Sequence, residues 1–275
     1  MIRRDMLVIS LVIPLLSCSV FAGPWPRKQG KGFVQLGIST IGYDQVYGDD
    51  ATKFSVGDVK DNVVQVFGDF GITDDVTVSA MLPFKFISHT PNQVKLTNSG
   101  VGDIDIAIRG NLINKNGYAL STEVQLGLPT GDKNDPNGLV LGDGEFNVAA
   151  RILGGRSFYP SPLYVTVDVA YNFRSKGFSD DVFYNAEIGY GFAENRLFLI
   201  VLFSGRESTS TKPTPMNAAT GLGLLTFNQE FTAIIPKALY KFDERWGVSA
   251  SYATAVHGRN VAGGSVLAGG VFYEF

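Results

Sequence analysis

The residues with most scope for chemistry in this sequence are two histidines and a pair of closely spaced aspartates. His89 and His257 offer the imidazole that a hydrolase uses as a general base. Neither stands in a G-x-S-x-G or H-E-x-x-H motif. Asp103 and Asp105 share one face of a predicted strand and would suit acid–base work, but this spacing also suits the lining of a barrel. We therefore assign no catalytic residue and predict that the chain is not an enzyme.

Aspartates in the predicted loops raise the question of a calcium site. They lie at 49–50, within 132–135 and at 143, and carboxylates are ligands that Ca²⁺ prefers. Their spacing matches no EF-hand, and Asp is also a common turn residue, so calcium binding stays open here. The only cysteine, Cys18, precedes a predicted cleavage site, which leaves the mature chain without a thiol. We predict no metal or cofactor site.

Charged residues also recur at every second place along the predicted strands. In "GDIDIAIRGNL" the isoleucines alternate with Asp103, Asp105 and Arg109. We predict that such residues line a polar lumen, and the full set is Asp103, Asp105, Arg109, Glu123, Arg151, Asp168, Arg174 and Glu187. Strand pairing would place Arg109 opposite Glu123. It would also bring Arg151 within diagonal reach of Glu123 and Asp168, which predicts a layer of ion pairs inside the barrel.

These residues need strands to position them, and alternation with a period of two runs through almost the whole chain. The sequence is 45% hydrophobic and 18% charged, and it contains 32 glycines and 20 phenylalanines, a composition that suits strands and turns. We predict about twelve strands, at 32–43, 60–70, 76–88, 101–113, 118–129, 144–155, 163–174, 182–192, 196–206, 227–242, 246–257 and 265–275.

The connections between these strands alternate in length. Those after the even-numbered strands are compact, such as "NKNG" and "DER". Those after the odd-numbered strands are generally longer, and one of them, 207–226, is expected to be mobile or folded over the mouth. Long loops at one end and tight turns at the other are typical of outer-membrane barrels. The fold class predicted is all-β, a transmembrane up-and-down antiparallel β-barrel.

Aromatic residues at the strand ends favour a membrane barrel with its apolar face turned outward to lipid. They form two predicted girdles. At the loop end the girdle is Tyr43, Phe86, Phe146, Phe173 and Tyr184, and at the turn end it is Phe70, Tyr118, Phe192, Phe242 and Trp246. Outer-membrane lipid is therefore a predicted partner. A net charge of −3 without a basic run argues against nucleic acid as a partner.

The first 22 residues have the pattern of a secretory signal peptide. Arg3 and Arg4 precede a short apolar segment, and Val20 and Ala22 are the small residues before a cut at Ala22/Gly23. The apolar segment is too short to span a bilayer. We predict a signal peptide at 1–22, a single barrel domain at 23–275, and location in the cell outer membrane.

The last strand ends on an aromatic residue. Val271, Tyr273 and Phe275 alternate toward the lipid face, with Phe275 at the turn-end interface. This ending resembles the C-terminal signal that the outer-membrane barrel-assembly machinery recognises. That machinery is therefore another predicted partner, and these three residues are the predicted signal.

Several segments resemble a known family of outer-membrane barrels, the one named for the phenol meta-degradation pathway. The resemblance is carried by "GKGFVQLGIS", "GVGDIDIAIRGNL", "LGLPTGDK", "GDGEFNVAARILGGRSF" and "YVTVDVAYNF", and it covers most of residues 30–275. It implies a Gram-negative outer-membrane barrel of the kind labelled a transporter, and it supplies no catalytic residue.

The leading function is therefore a passive pore or transporter for small solutes, aromatic or hydrophobic ones among them. A barrel of about twelve strands lies between small filled barrels and wide porins, so we expect a narrow pore. The alternative is a non-conducting structural or binding barrel whose external loops contact partners. An outer-membrane enzyme using the histidines is the third and weakest interpretation.

Overall fold

A computed structural model describes residues 23–210, 218–224 and 227–275 of the chain. The predicted signal peptide, 1–22, lies outside the described residues. Most of the described chain is β-structure. The strands are β1 Gly32–Tyr47, β2 Lys53–Gly71, β3 Val76–Thr90, β4 Leu96–Val101, β5 Ile104–Lys115, β6 Tyr118–Leu128, β7 Asn147–Ser157, β8 Leu163–Arg174, β9 Asp181–Phe192, β10 Leu197–Ser208, β11 Glu230–Lys241, β12 Trp246–Arg259, β13 Val261–Ala262 and β14 Val266–Glu274.

The strands form one closed antiparallel sheet. Each pairs with its neighbours along the chain, and β1 closes the ring by pairing with both β2 and β14. Two of the barrel strands are each interrupted and form two segments: β4 and β5 both pair with β3, and β13 and β14 both pair with β1. Counted with each interrupted strand as one, the barrel has twelve strands, which confirms the prediction of an all-β up-and-down barrel of about twelve strands.

Two helical segments accompany the sheet. A single 3₁₀ turn, Pro91–Gln93, lies between β3 and β4, and a four-residue helix, Ala218–Gly221, precedes β11. Within the described residues, no helix is long and apolar enough to cross a membrane.

The predicted asymmetry of the connections is present. Five tight turns lie at one end, which we call the turn end: 72–75, 116–117, 158–162, 193–196 and 242–245. The opposite, loop end carries the connections 129–146 and 175–180 and the one between β10 and β11. In that last connection 211–217 and 225–226 lie outside the described residues, whereas Leu222 is buried at the barrel mouth.

The first hairpin is longer than predicted. We expected a loop from 44 to 59, but β1 and β2 remain paired as far as Tyr47 and Lys53, and only 48–52 connect them. We expected a loop because this segment is polar. Its polar side chains are directed outward beyond the apolar band, whereas Val46 and Val59 are directed inward. The ladder of hydrogen bonds satisfies the backbone there, so the polar sequence does not need to form a loop.

The outward face carries an apolar belt and the inward face carries the polar groups. On β1, Val34, Leu36 and Ile38 are exposed outward, whereas Phe33 and Gln35 are buried inside. The same alternation leaves large apolar side chains exposed around the barrel, among them Val66, Ile108, Val169, Val201 and Val271. An exposed belt of this kind has the pattern of a surface that faces lipid.

Eight of the ten predicted girdle residues are exposed, Tyr184 is intermediate, and the prediction for Tyr43 is wrong. Tyr43 is only 6% exposed, points inward, and donates a hydrogen bond from its hydroxyl to the carbonyl of Leu222 at 2.9 Å. The reason is a reversal along β1: above Ile38 the outward residues, such as Thr40, are polar and the inward ones are apolar. The apolar residues of β1 therefore lie on the outer face within the belt and on the inner face between the belt and the loop end.

The inward apolar residues of this upper region form a loop-end cluster. It joins strand residues to side chains of two connections that fold inward, Leu139 and Leu141 from 129–146 and Leu222 from the β10–β11 connection. The buried strand members are Ile41, Tyr43, Val46, Val59, Ile87, Phe231, Ala233, Ile235, Ala253, Ala255, Val261 and Ala262. The cluster narrows the loop end of the barrel.

Candidate functional site

A cavity of about 380 Å³ lies inside the barrel, below the loop-end cluster. All eight residues of the predicted lumen set line it: Asp103, Asp105, Arg109, Glu123, Arg151, Asp168, Arg174 and Glu187. They come from consecutive strands, β5 to β9, with Asp103 in the break between β4 and β5. The rest of the wall includes the apolar residues Phe67, Leu202 and Phe231 beside the basic residues Lys85, Arg206 and Lys237.

Four of these residues form a continuous ion-paired layer. Arg109 donates two hydrogen bonds to Glu123 Oε2, from Nε at 2.9 Å and from Nη2 at 2.8 Å. The other oxygen of Glu123, Oε1, lies 3.3 Å from Arg151 Nε, and Arg151 also pairs with Asp168. Glu123 faces Arg109 on one side and Arg151 on the other. We expected Arg151 to be diagonal to Glu123. The register between β6 and β7 instead places Arg151 directly opposite Glu123.

Replacing Glu123 should destabilise this layer. Glu123→Gln keeps the size of the side chain but removes the charge that two arginines share, and unpaired buried polar groups cost about 1–3 kcal/mol or more. We expect the folded barrel to unfold at lower urea concentration in lipid vesicles. Glu194→Gln, in an exposed turn, is the matched control and should unfold like the original chain. Equal unfolding of both variants would contradict a stabilising role for the layer.

A second ionic cluster lies nearer the loop end. Arg174 pairs with Asp143 at 2.8 Å, with Asp181 at 3.5 Å and with Glu145, and Arg206 also pairs with Asp181. Burial raises the pKa of Glu145, a residue of the 129–146 connection, to about 7, although the nearby charge of Arg174 acts in the opposite direction. This cluster holds the inner end of the connection against the wall of the barrel.

Sequence reasoning included only Arg174 from this second cluster. A usable signal was present for two other members. Glu145 has the parity of Arg151 ahead of β7, and Asp181 has the parity of Glu187 on β9. Glu145 lies within the predicted strand 144–155, and extending the predicted strand 182–192 by one residue would have included Asp181. Asp143 was considered only as a turn residue or calcium ligand, because it lies too far ahead of β7 for strand parity to apply.

Glu187 and Asp103 have different kinds of partner. Glu187 lies 3.2 Å from Lys237 Nζ and accepts a hydrogen bond from the hydroxyl of Tyr164 at 2.9 Å. Asp103 accepts backbone hydrogen bonds from Gly131 at 2.9 Å and Asp143 at 2.7 Å. Asp103 therefore ties the 129–146 connection to the break between β4 and β5.

Gly142 makes this attachment possible. A Cβ at Gly142 would lie 2.2 Å from Asp103 Oδ1, so no larger residue fits without displacing the carboxylate. Nearer the loop end than Gly142, the side-chain amide of Asn98 donates a hydrogen bond to the carbonyl of Leu139 at 2.8 Å. The 129–146 connection is thus fixed inside the mouth and does not extend outward.

The segment 23–31 occupies the turn end of the lumen, a feature that the sequence did not predict. Arg109 Nη1 donates to the carbonyl of Gly23 at 2.7 Å, and Ser121 donates to the carbonyl of Pro24. The ring of Trp25 meets that of Tyr164 edge-on, with centroids 6.1 Å apart. No periodicity or motif marks this short segment, so its position is visible only in three dimensions.

Two further contacts hold the outer part of this segment. Arg27 Nε donates to Asp69 at 2.8 Å, and the backbone N–H of Arg27 donates to Thr77 Oγ1 at 2.9 Å. Gln29 then donates from its backbone to Asp74 in the first turn at 3.0 Å. The segment therefore enters the lumen from the turn end and narrows it there.

The other sequence candidates have local partners. His89 Nε2 makes a 2.7 Å hydrogen bond with the carbonyl of Val56, and His257 is exposed on β12. Asp50 accepts bonds from the backbone and hydroxyl of Thr52, which lower the pKa of its carboxyl group. Within the described residues, no group of three or more His, Cys, Asp or Glu side chains is arranged to hold a metal ion.

No protein-family model matches the chain, and no curated protein matches it. Among solved structures it is similar to the crystal structure of an outer-membrane channel from Pseudomonas putida F1, with a TM-score of 0.73 and 17% identity over 96% of this chain and 100% of that chain. It is also similar to the translocator domain of the autotransporter NalP from Neisseria meningitidis, with a TM-score of 0.51 and 9% identity over 90% and 89% of the two chains. At such low identities the likeness shows the fold, and it confirms the outer-membrane type of barrel.

Proposed function

We propose that this chain spans the bacterial outer membrane and lets small solutes cross passively. The main observation in support of this proposal is a closed barrel with an apolar belt outside and a charged cavity inside. The belt requires lipid, because exposed apolar area of this extent is unfavourable in water. Apolar side chains in the rest of the cavity wall, with Phe67 and Phe231, support aromatic or hydrophobic solutes as part of the range.

The proposal includes export by a cleaved signal peptide, with the cut at Ala22/Gly23, and insertion by the barrel-assembly machinery. The position of Gly23 supports the cut, since its carbonyl is held by Arg109 inside the lumen. The contacts of His89 are with the backbone, which gives a catalytic mechanism no support. We therefore propose a channel and no enzymatic activity.

A non-conducting barrel is the second candidate. It is favoured by the narrowing at both ends, from the 23–31 segment below and the loop-end cluster above. A barrel closed at both ends would hold a small molecule without passing it.

Single-channel recording of the purified barrel in planar bilayers separates these two functions. We expect small, discrete current steps, and we expect vesicles carrying the barrel to swell in solutions of small solutes but not in solutions of large oligosaccharides. The control is denatured chain added to the same bilayers and vesicles without refolding, which should give neither current steps nor swelling. Intact barrels that pass neither ions nor small solutes would contradict the channel and favour the non-conducting barrel.

A further inference from the structure

The charges that line the cavity are not fully balanced. Each of the six basic side chains in the lining is ion-paired with a carboxylate. Asp105 also lines the cavity, and in the described part of the chain no basic side chain pairs with it; the side chain of Gln125 hydrogen-bonds to it. The fixed charge left over in the lumen is therefore negative.

Two buried acceptors that line the same cavity have unmet hydrogen-bonding capacity. Glu145 and Asn172 line the cavity and are 2% and 3% exposed, and Glu145 Oε2 and Asn172 Oδ1 have no hydrogen-bond partner. Two donors of the lining, Arg151 Nε and Arg206 Nε, also lack a hydrogen bond, but both guanidinium groups are ion-paired with carboxylates, so neither cation is free to pair with an anion. The Glu145 carboxylate is ion-paired with Arg174 through its other oxygen, Oε1. Buried acceptors without donors are unfavourable, and a ligand that donates to them would remove that cost.

An excess of negative charge together with free acceptors matches one kind of solute. A primary ammonium group carries positive charge and three N–H donors, whereas an anion would meet repulsion and find no free basic partner in the lining. We infer that the cavity selects small cationic solutes, above all those with a primary ammonium group, through Asp105, Glu145 and Asn172. This inference rests on the proposed channel function.

The charge preference is measured as the reversal potential in a potassium chloride gradient at about pH 8, where carboxylates are ionised. Fields of several kT in a charged cleft enrich counter-ions about tenfold or more, so we expect potassium to permeate about tenfold better than chloride. Asp105→Asn and Glu145→Gln should each move this ratio toward one. Asp58→Asn, an exposed residue outside the cavity lining, removes the same charge and should leave the ratio unchanged.

The ammonium preference is measured by replacing potassium with methylammonium and then with tetramethylammonium, which has no N–H donor. We expect methylammonium to permeate better, and we expect Asn172→Leu to reduce that advantage. Asn172→Asp should increase it, so the test does not depend on one variant folding.

The outcomes separate the two proposals. A barrel that carries no current in any variant overturns the channel function, and this inference with it. A barrel that conducts but prefers chloride, or whose selectivity is unchanged by Asp105→Asn and Glu145→Gln, overturns this inference alone. Equal permeation of the two ammonium ions overturns the role given to Asn172.

Discussion

Deletion of Pro24–Gln29 is expected to raise the single-channel conductance several-fold without unfolding the barrel. The deleted residues fill the turn end of the lumen, where Ser121 binds the carbonyl of Pro24 and Trp25 packs against Tyr164. They add no strand to the ring, so the backbone ladder of the barrel stays complete. The measurement is single-channel recording beside a thermal unfolding curve for the same preparation.

Two glycines of β7 provide a matched test without a deletion. A Cβ at Gly155 would lie 2.6 Å from Pro24 and 2.9 Å from Trp25, whereas a Cβ at Gly154 would meet only Val167 at 3.8 Å. Gly155→Val should therefore displace the segment and raise the conductance, and Gly154→Val should not. If the deletion and Gly155→Val both leave the conductance unchanged, the segment is not the constriction.

Replacement of Phe275 by Ala is expected to reduce the amount of folded barrel in the outer membrane several-fold. Gly32 and Phe275 exchange two backbone hydrogen bonds of 3.0 Å, and the phenyl ring lies over Gly32 and stacks with Phe70, with centroids 6.3 Å apart. The ring is 46% exposed, so its loss costs only part of the roughly 1.5–3 kcal/mol of a fully buried side chain. The larger effect should come from insertion, if Val271, Tyr273 and Phe275 form the assembly signal.

The measurement is the ratio of heat-modifiable barrel in outer-membrane fractions to degraded chain in the periplasm. Phe275→Trp keeps an aromatic ring at the interface and should be close to the original chain. Leu267→Ala removes an outward apolar side chain from the same strand and is the matched control. Equal membrane levels for Phe275→Ala and Leu267→Ala would show that the terminal ring has no special role in assembly.

The barrel itself was predictable because alternation with a period of two is a local property of the chain. Strand number and the shared face of Arg109 and Glu123 follow from it. The ends that carry turns and loops follow from the lengths of the connections, and the inward direction of the charged face follows from the aromatic residues at the strand ends. The pairing of these two residues was also predictable, since hairpin neighbours are close in sequence and a tight turn sets the register between their strands.

Other features depend on contacts that sequence periodicity does not encode. Tyr43 was assigned to the wrong face because the apolar face of β1 changes sides above Ile38, where lipid no longer decides which side is apolar. The inward fold of 129–146 depends on Asp103 and on the absence of a side chain at Gly142. The 23–31 segment is held by residues far along the chain, so no local pattern predicts its position.

The unequal strand lengths give the barrel a sloping rim. β2 has 19 residues at about 3.3 Å each, which carries it far above an apolar belt about 25 Å tall, whereas β6 and β7 have 11 residues each and end near the top of that belt. The β1–β2 hairpin therefore rises above the rest of the rim on one side of the mouth. A solute that approaches over the low side of the rim therefore reaches the inward-folded 129–146 connection, between β6 and β7, without passing this hairpin.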